Sequence, residues 1–337
     1  MSRYFEDFEL GETIHHATPR TLTAGDQAMY MALYGPRFAL HSSAPFAQAL
    51  GYQDMPLDDL LVFHTVFGKT VPDVSINAVA NLGYAQGLFR APVLAGDTLR
   101  SESAVIGLKQ NSNGKTGTVY VHTKGFNQRD ELVMDYRRWV LVEKRDADAP
   151  APDPTLPELP EAVAASDLVG PAGFNAANYD FTAAGSNKRF DDYQVGDKID
   201  HGPGQTVEEA EHQLATRLYQ NTAKVHFDGH AAKDSRFGKR LIYGGHVISL
   251  ARAMSFNGLE NAFALAAING GTHKAPLFAG DTVYAWTEVL DKAEVGDGLG
   301  ALRLRTIATK NKPCATFPDK DDDATILIFD YWAWCVG

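Results

Sequence analysis

The chain has 337 residues, of which 45% are hydrophobic and 22% charged, values typical of a globular protein. This length exceeds what a single hydrophobic core usually holds, so we expect two domains. The net charge of −11 argues against a general nucleic-acid or membrane-surface binder, because both surfaces would repel the protein.

The beginning of the chain, MSRYFEDFELGETI, carries acidic residues early and lacks the apolar run of a signal peptide. No stretch of the sequence approaches the ~18 apolar residues of a membrane span. The two cysteines, Cys314 and Cys335, have no metal-ligand spacing and suit a reducing compartment. We therefore expect a cytoplasmic protein.

Two segments of the first half return in the second half. FEDFELGETI (5–14) returns as FDDYQVGDKI (190–199), with four identities in ten positions. APVLAGDT (91–98) returns as APLFAGDT (275–282), with six identities in eight. The offset is 185 residues for the first pair and 184 for the second. Two offsets that differ by one residue indicate a tandem duplication.

The ends of the two copies also correspond, since MDYRRWVLV (134–142) resembles FDYWAWCV (329–336). We assign a first repeat to residues 1–145 and a second repeat to residues 188–337. Two similar repeats are expected to pack like the subunits of a dimer, with pseudo-twofold symmetry. Further association into a homo-oligomer stays open.

A linker is predicted for residues 146–187, between the repeats. It contains five prolines between residues 150 and 160. Proline cannot pair within a central strand or continue a helix. We expect a partly extended segment that lies over the surface.

The second repeat begins with a helix signal. Thr206 and Glu209 have the spacing of a capping box. Ala210, Leu214 and Leu218 follow four residues apart, on one face of the predicted helix.

A second helix is predicted after the glycine pair at 244–245. Apolar residues from Val247 to Met254 follow the i, i+3, i+4, i+7 spacing, and the pattern ends near Gly258. Alternating β-branched and aromatic residues then predict three strands, at 282–290, 302–310 and 325–334. One buried helix followed by long antiparallel strands indicates an α+β architecture, with a sheet wrapped around the helix.

The order of these parts resembles a known family. YQNTAKVH (219–226), the glycine pair before His246 and the APLFAGDT segment resemble the MaoC-like, or R-specific enoyl-CoA hydratase, family with the hot-dog fold. The whole chain resembles one subgroup of that family, which acts on mesaconyl-CoA; the segments that carry this resemblance are NSNGKTG, HTVFGKTVPDVSINAVANLGYA and RLIYGGHVISLARAMSFNGL. The resemblance implies a tandem (double) hot-dog fold, with two antiparallel sheets each wrapped around a central helix.

The resemblance also implies a reaction, the reversible hydration of mesaconyl-CoA to β-methylmalyl-CoA in acetate assimilation. The partner is then a small-molecule CoA thioester. No separate cofactor is expected, because CoA is part of the substrate and the sequence contains neither a GxGxxG nor a P-loop pattern.

Three residues of the second repeat match the catalytic positions that the resemblance implies. His226 would accept a proton from water, since its ordinary pKa lies near ~6.5. The backbone N–H of Gly245, at a helix start, would stabilise the negative oxygen of the thioester. Asn221 stands where the family has aspartate, and an amide can orient water but cannot take its proton.

The first repeat differs at the matching positions. We align Phe63 with Gly245, His64 with His246 and Pro36 with Asn221. A bulky ring and a missing donor would spoil the oxyanion pocket. His41, the counterpart of His226, is therefore interpreted as a relic or a packing residue, and the active site is assigned to the second repeat.

Several cations are candidates for substrate binding. Lys224 is a candidate for the free carboxylate of a dicarboxylic substrate, and Arg236, Lys239 and Arg240 for the CoA phosphates. Ordinary solvent-exposed cations are an equally good interpretation of each. His246 is assigned to substrate binding or to a structural role. The other histidines lack metal-ligand spacing such as HExxH, so no metal site is predicted.

Three alternatives remain open from the sequence. A general R-specific enoyl-CoA hydratase would prefer straight-chain substrates such as crotonyl-CoA. A hot-dog thioesterase would release the free CoA thiol. A non-catalytic acyl-CoA-binding module, suggested by the amide at Asn221, would bind the thioester without changing its enoyl absorbance.

Overall fold

The computed structural model describes residues 3–337 and has an α+β architecture built on antiparallel strands. The elements of the first repeat are β1 (Thr13–Thr21), α1 (Ala24–Tyr34), α2 (Ala44–Ala49), α3 (Asp59–Thr70), β2 (Ala78–Phe89), β3 (Thr98–Gln110), β4 (Thr116–Phe126) and β5 (Leu132–Glu143). The segment between the repeats holds one short helix, α4 (Phe181–Ala184). The elements of the second repeat are β6 (Lys198–Asp200), β7 (Gln205–Thr206), α5 (Glu209–Leu218), α6 (Lys224–Phe227), α7 (Gly244–Met254), β8 (Ala262–His273), β9 (Thr282–Gly296), β10 (Leu299–Lys310) and β11 (Thr325–Val336). None of the helices formed by residues 3–337 is long and apolar enough to cross a membrane.

The two predicted sheets join edge to edge into one sheet. Its strand order is β1-β3-β4-β5-β2-β8-β11-β10-β9-β6, and β7 pairs with β9. The junction is the pairing of β2 with β8, where Gly87 lies opposite Ile268 and Leu88 opposite Ala267. A Cβ atom at position 87 would lie 3.0 Å from the Ile268 Cβ, so glycine permits this close approach. Each half of the sheet still packs against its own long helix, α3 or α7.

The repeats are related by a pseudo-twofold axis on which equivalent residues meet. The Tyr219 hydroxyl donates to the Tyr34 hydroxyl at 2.9 Å, and these residues are 185 positions apart. His64 Nε2 lies 3.1 Å from Ser249 Oγ, again 185 positions away. An internal symmetry axis brings equivalent positions together in this way.

This symmetry corrects the sequence alignment of the two central helices. Helix α3 begins at Asp59 and α7 at Gly244, so the offset of 185 continues into both helices. The counterpart of Gly245 is therefore Leu60 rather than Phe63, and the counterpart of His64 is Ser249 rather than His246. The sequence comparison aligned His64 with His246, although His64 lies about one turn further from the start of its helix than His246 does.

Helix α7 is buried on all sides, because the sheet covers one face and the first repeat covers the other. Every residue from Gly245 to Met254 is buried. Helix α5 begins at Glu209, after a capping box formed by Glu208 and Glu211, instead of the predicted box at Thr206. Thr206 belongs to β7, where its hydroxyl lies 2.8 Å from the Thr282 hydroxyl.

The segment between the repeats packs on the outer face of the sheet. Val163, Leu168 and Tyr179 are buried there. The Trp332 indole donates to the Val163 carbonyl at 3.0 Å, and the Tyr179 hydroxyl donates to Asn261 Oδ1 at 3.0 Å. These contacts attach residues 163–179 to the second half of the sheet.

Candidate active site

A cavity of about 660 Å³ lies between the repeats. The second repeat contributes the start of α7, the α6 helix and the end of β8, and the first repeat contributes α3, β2 and β5. The polar lining residues include Asn221, His226, Arg236, His273 and Lys274 from the second repeat and Ser75, Asn81, Tyr84 and Arg138 from the first. The volume falls within the range of small-molecule pockets.

His226 is held in one tautomer by the backbone. Its Nδ1 lies 2.9 Å from the Leu241 carbonyl oxygen. A carbonyl can only accept a hydrogen bond, so Nδ1 carries the proton and Nε2 keeps a lone pair. The Tyr243 ring packs on the imidazole with centroids 5.4 Å apart. The site therefore presents a fixed imidazole with a basic nitrogen.

Burial also keeps this imidazole neutral. It lowers the pKa of His226 to about 4, although the hydrogen bond to the Leu241 carbonyl acts in the opposite direction. At neutral pH the ring is therefore in the form that accepts a proton.

Asn221 is fixed by the turn that connects α5 to α6. Its backbone N–H donates to the Thr216 carbonyl at 2.9 Å, and the preceding residue, Gln220, has a positive φ of 53°. Its Oδ1 accepts a hydrogen bond from the Ala223 N–H at 3.0 Å. The amide oxygen is thereby engaged, and the Nδ2 group is the part of the side chain left for a ligand in the cavity. Such a group donates to water but takes no proton from it.

The start of α7 presents backbone donors to the cavity. The Tyr243 N–H donates to His212 Nε2 at 2.9 Å, which orients the first turn. Tyr243, the N-cap residue, provides no side-chain hydrogen bond to the helix. Among the described residues, the N–H groups of Gly244 and Gly245 have no hydrogen-bond acceptor. Unpaired donors at a helix start favour an anionic or developing negative oxygen.

The two glycines allow close packing around these donors. A Cβ atom at Gly244 would lie 2.4 Å from His273 Nε2. A Cβ atom at Gly245 would lie 2.4 Å from Tyr243 Cε1 and 2.5 Å from His64 Cε1. Gly244 lines the cavity, whereas Gly245, the predicted oxyanion donor, is buried one position further into the helix and is absent from the described residues of the lining. Side chains at either position would displace cavity or core residues.

The first repeat fills the equivalent helix start with its own carboxylates. Asp58 caps α3, and its Oδ1 accepts the Leu60 N–H, the counterpart of the Gly245 N–H, at 2.9 Å. Asp59, the counterpart of Gly244, accepts the Leu265 N–H at 2.7 Å. His41 Nε2 lies 3.5 Å from the same Asp59 Oδ2. The Asp58 carboxylate thus accepts one N–H of this helix start, and the Asp59 carboxylate is held by a backbone donor of the second repeat.

His41 consequently differs from His226 in charge as well as in contacts. Burial disfavours its charged form, but the Asp59 and Asp58 carboxylates raise the pKa of His41 above its ordinary value. The small pocket beside it encloses about 150 Å³ and is partly closed by residues 169–172 of the inter-repeat segment. The sequence interpretation of His41 as a packing residue agrees with these contacts.

The predicted cations do not gather at one place. Arg236 lies in the cavity lining, and Lys239 places its Nζ 4.2 Å from the centroid of the Phe278 ring. Arg240 is paired with Glu209 and with the Gln213 side chain, so it ties the loop to α5. Lys274, which follows β8 and precedes APLFAGDT, also lines the cavity.

Of the five residues proposed for substrate binding, Arg236 alone is among the described residues that line the cavity. Lys224 is exposed and is absent from the described residues that line the cavity, because the first turn of α6 directs it to solvent. His246 is completely buried at the repeat interface, where its Nδ1 lies 3.1 Å from the Tyr34 hydroxyl. The His246 side chain lies on the face of α7 that packs against Tyr34 of the first repeat. The structure therefore supports a structural role for His246.

The sequence reasoning missed the contribution of the first repeat to the cavity. Arg138 and Asn81 come from strands β5 and β2 and lie more than 80 residues away from His226 in the chain. One sequence signal was present, since Arg138 in MDYRRWVLV aligns in sequence with Ala333 in FDYWAWCV. A charged residue aligned with alanine in a strand is a local anomaly. Residues 3–337 contain no cluster of three or more His, Cys, Asp or Glu side chains placed to hold a metal ion.

Comparisons with known proteins are consistent along the whole chain. Residues 1–317 match a family model described as mesaconyl-CoA hydratase. The chain is 60% identical to beta-methylmalyl-CoA dehydratase of Chloroflexus aurantiacus, over 97% of this chain and 95% of that protein. It is 59% identical to mesaconyl-CoA hydratase of Cereibacter sphaeroides, over 98% of this chain and 97% of that protein.

Solved structures confirm the fold. A MaoC domain protein dehydratase from Chloroflexus aurantiacus superposes with a TM-score of 0.96 and 58% identity, covering 99% of this chain and 97% of that one. A double hot-dog protein from Mycobacterium tuberculosis superposes with a TM-score of 0.76 and 25% identity, covering 99% and 98%. The predicted tandem hot-dog fold and the predicted family are both confirmed. The chain belongs to the mesaconyl-CoA hydratase family, within the MaoC-like double hot-dog proteins.

Proposed function

We propose that this protein is a hydro-lyase that reversibly hydrates mesaconyl-CoA to β-methylmalyl-CoA in the cavity between its repeats. One arrangement carries the proposal: a neutral imidazole with a free Nε2, an amide side chain and an uncapped helix start belong to the same cavity wall. Hydration of an α,β-unsaturated thioester needs a base for water and donors for the thioester oxygen. Both are provided by the second repeat.

The reaction is proposed to begin with water. His226 Nε2 takes one proton from water while the water oxygen forms a bond to the β-carbon of the double bond. The π electrons move toward the thioester, and the negative charge on its oxygen is stabilised by the N–H group of Gly244, the glycine of the helix start that lines the cavity. Asn221 Nδ2 donates to the water oxygen and orients it.

The proton then returns to the substrate. The imidazolium of His226 delivers it to the α-carbon, the thioester carbonyl reforms, and the ring is neutral again. The sum is the addition of one water molecule, so no oxidant, reductant or cofactor is required. Asn221 cannot share the proton transfer, because an amide does not titrate in this range. His226 therefore serves both as base and as acid.

Arg236 and Lys274 are proposed to neutralise the phosphates of the CoA part. Both line the cavity, and a net charge of −11 requires local cations wherever an anionic ligand binds. We also propose a cytoplasmic location, because two free and buried cysteines suit a reducing compartment.

The test is a hydration assay with the purified protein. Mesaconyl-CoA is expected to lose its enoyl absorbance, and chiral chromatography of the hydrolysed product identifies the stereoisomer formed. Crotonyl-CoA serves as the straight-chain comparison, and a thiol reagent detects any release of free CoA. Binding of mesaconyl-CoA without any absorbance change would contradict the proposal and would indicate a non-catalytic acyl-CoA-binding protein.

A further inference from the structure

Arg138 is a buried charge without a counter-ion. Its side chain is completely inaccessible to solvent, yet its Nε and Nη1 atoms have no hydrogen-bond partner in the described part of the chain. Nη2 donates one long hydrogen bond, of 3.4 Å, to Ser75 Oγ. Among residues 3–337, none of its nitrogen atoms contacts a carboxylate. Arginine stays charged in proteins, so this charge is unbalanced within the chain.

Such an arrangement is unusual for a residue that serves the fold alone. Buried arginine side chains are normally paired, because an isolated charge in the protein interior is strongly unfavourable. By strand register the counterpart of Arg138 is Tyr331, because Arg138 lies opposite Tyr84 on β2 and Tyr331 lies opposite Ile268 on β8. The second repeat also buries an arginine against this strand, Arg252, but that side chain donates to Ser255 Oγ and to the Ala262 carbonyl.

The position of Arg138 connects it with the candidate active site. It lies in the cavity wall, with its guanidinium carbon 4.4 Å from the centroid of the Phe67 ring. Phe67 packs on Tyr243 at 6.1 Å, and Tyr243 packs on His226 at 5.4 Å. The guanidinium and the imidazole thus belong to walls of one cavity that meet at Tyr243.

A second polar group beside it is also unpaired. Asn81 lines the same cavity, and neither Oδ1 nor Nδ2 has a partner among the described residues. Asn81 lies on β2 opposite Val140, two residues along β5 from Arg138. The Asn81 amide and the Arg138 guanidinium therefore offer several unused donors on neighbouring strands. This group of donors suits an anion with more than one oxygen.

We propose that Arg138, assisted by Asn81, binds the free carboxylate of the substrate. The inference rests on the proposed function, which makes the substrate a thioester with a second carboxylate. In mesaconyl-CoA this carboxylate is attached to the β-carbon, the atom that receives the hydroxyl. A guanidinium that holds it orients the β-carbon toward the water on His226. A straight-chain enoyl-CoA lacks the carboxylate and leaves the charge uncompensated.

This assignment gives the first repeat a function. Its own helix start carries the carboxylates of Asp58 and Asp59, but its strands β2 and β5 supply the recognition of the dicarboxylic substrate. The assignment also replaces Lys224, which is directed to solvent. Substrate selection and catalysis are thereby divided between the two repeats.

The test is the variant Arg138→Met, which removes the charge and keeps an unbranched side chain. The kcat/KM for mesaconyl-CoA is expected to fall about 10²-fold or more, the usual scale for loss of one partner of a buried charged pair. The dissociation constant for mesaconyl-CoA should rise, whereas that for crotonyl-CoA should stay the same or fall. The variant should melt at the wild-type temperature or above it, because an unpaired buried charge has been removed.

Arg137→Met is the matched control. Arg137 precedes Arg138 on the same strand, is partly exposed and lies 3.8 Å from the Asp135 carboxylate. This variant should keep wild-type kinetics with both substrates. Arg138→Lys keeps the charge without the planar fork, and it should recover only part of the lost kcat/KM.

The outcomes separate the two proposals. Equal losses for mesaconyl-CoA and crotonyl-CoA, or no loss for either, would overturn the role of Arg138. If the wild type binds mesaconyl-CoA without hydrating it, the proposed function fails, while the two dissociation constants still decide the role of Arg138. If the wild type does not bind mesaconyl-CoA, both proposals fail.

Discussion

The two repeats contain the same histidine in the same place but use it differently. His226 and His41 each direct Nδ1 to a backbone carbonyl 15 residues further along the chain, that of Leu241 and that of Pro56. His226 keeps its Nε2 free for the cavity. The Nε2 of His41 faces the Asp59 carboxylate at 3.5 Å.

The difference between the repeats originates at the start of the central helix. In the first repeat, the Asp58 carboxylate accepts the Leu60 N–H, and Asp59 accepts the Leu265 N–H of β8. In the second repeat, Tyr243 and Gly244 stand at these two positions and provide no carboxylate. A helix start attracts negative charge, whether it comes from the chain or from a ligand. The comparison teaches that the same helix start is capped by the chain's own carboxylate in one repeat and is left without a side-chain cap in the other.

The strongest test of this comparison replaces each histidine by alanine. His226→Ala is expected to lower kcat at least ~10²-fold, the scale of a general acid–base group. His41→Ala should leave kcat near the wild-type value, because its imidazole is held by Asp59 and is remote from the reacting atoms. Initial rates with mesaconyl-CoA measure both, and circular dichroism checks the fold. A loss of only a few-fold for His226→Ala would remove it from the mechanism.

The second test introduces the carboxylate of the first repeat into the second. Gly244→Asp is expected to lower kcat about 10²-fold, because the new carboxylate competes with the thioester oxygen for the helix donors. Gly244→Ala is the control, since it introduces the contact with His273 without the charge. Steady-state kinetics of both variants decide the question. Equal losses for alanine and aspartate would show that steric displacement alone explains the effect.

The third test uses pH. Burial lowers the pKa of His226 to about 4, so the basic form is present above that value and is lost as the pH falls through it. We expect kcat/KM to be constant from neutral pH down to weakly acidic pH, and then to decline about tenfold per unit below the midpoint. His41 has a raised pKa and would give a midpoint above its ordinary value. A midpoint above 6.5 would therefore contradict the assignment to His226.

The sequence predicted the duplication and helix α7 because both depend on patterns along the chain, and its resemblance to the MaoC-like family implied the fold and the repeat that carries the candidate site. The duplication was visible from the nearly constant offset, and helix α7 from its apolar spacing. The strand β8 was not predicted, because ALAAINGG contains small residues instead of the β-branched and aromatic residues typical of strands. APLFAGDT (275–282) forms the turn that leads into β9, and its last residue, Thr282, begins that strand.

The sequence by itself determined the duplication, the hot-dog fold, the membership of the family and the position of His226 in the second repeat. Only the tertiary structure decided which helix start is open, where His246 and Lys224 point, and that Arg138 reaches the same cavity. Periodicity is a property of neighbouring residues, and a repeat is a property of residue order along the chain. Both are therefore visible in the sequence. A cavity between two repeats is formed by residues far apart in sequence, and their meeting depends on strand register and on the pseudo-twofold packing.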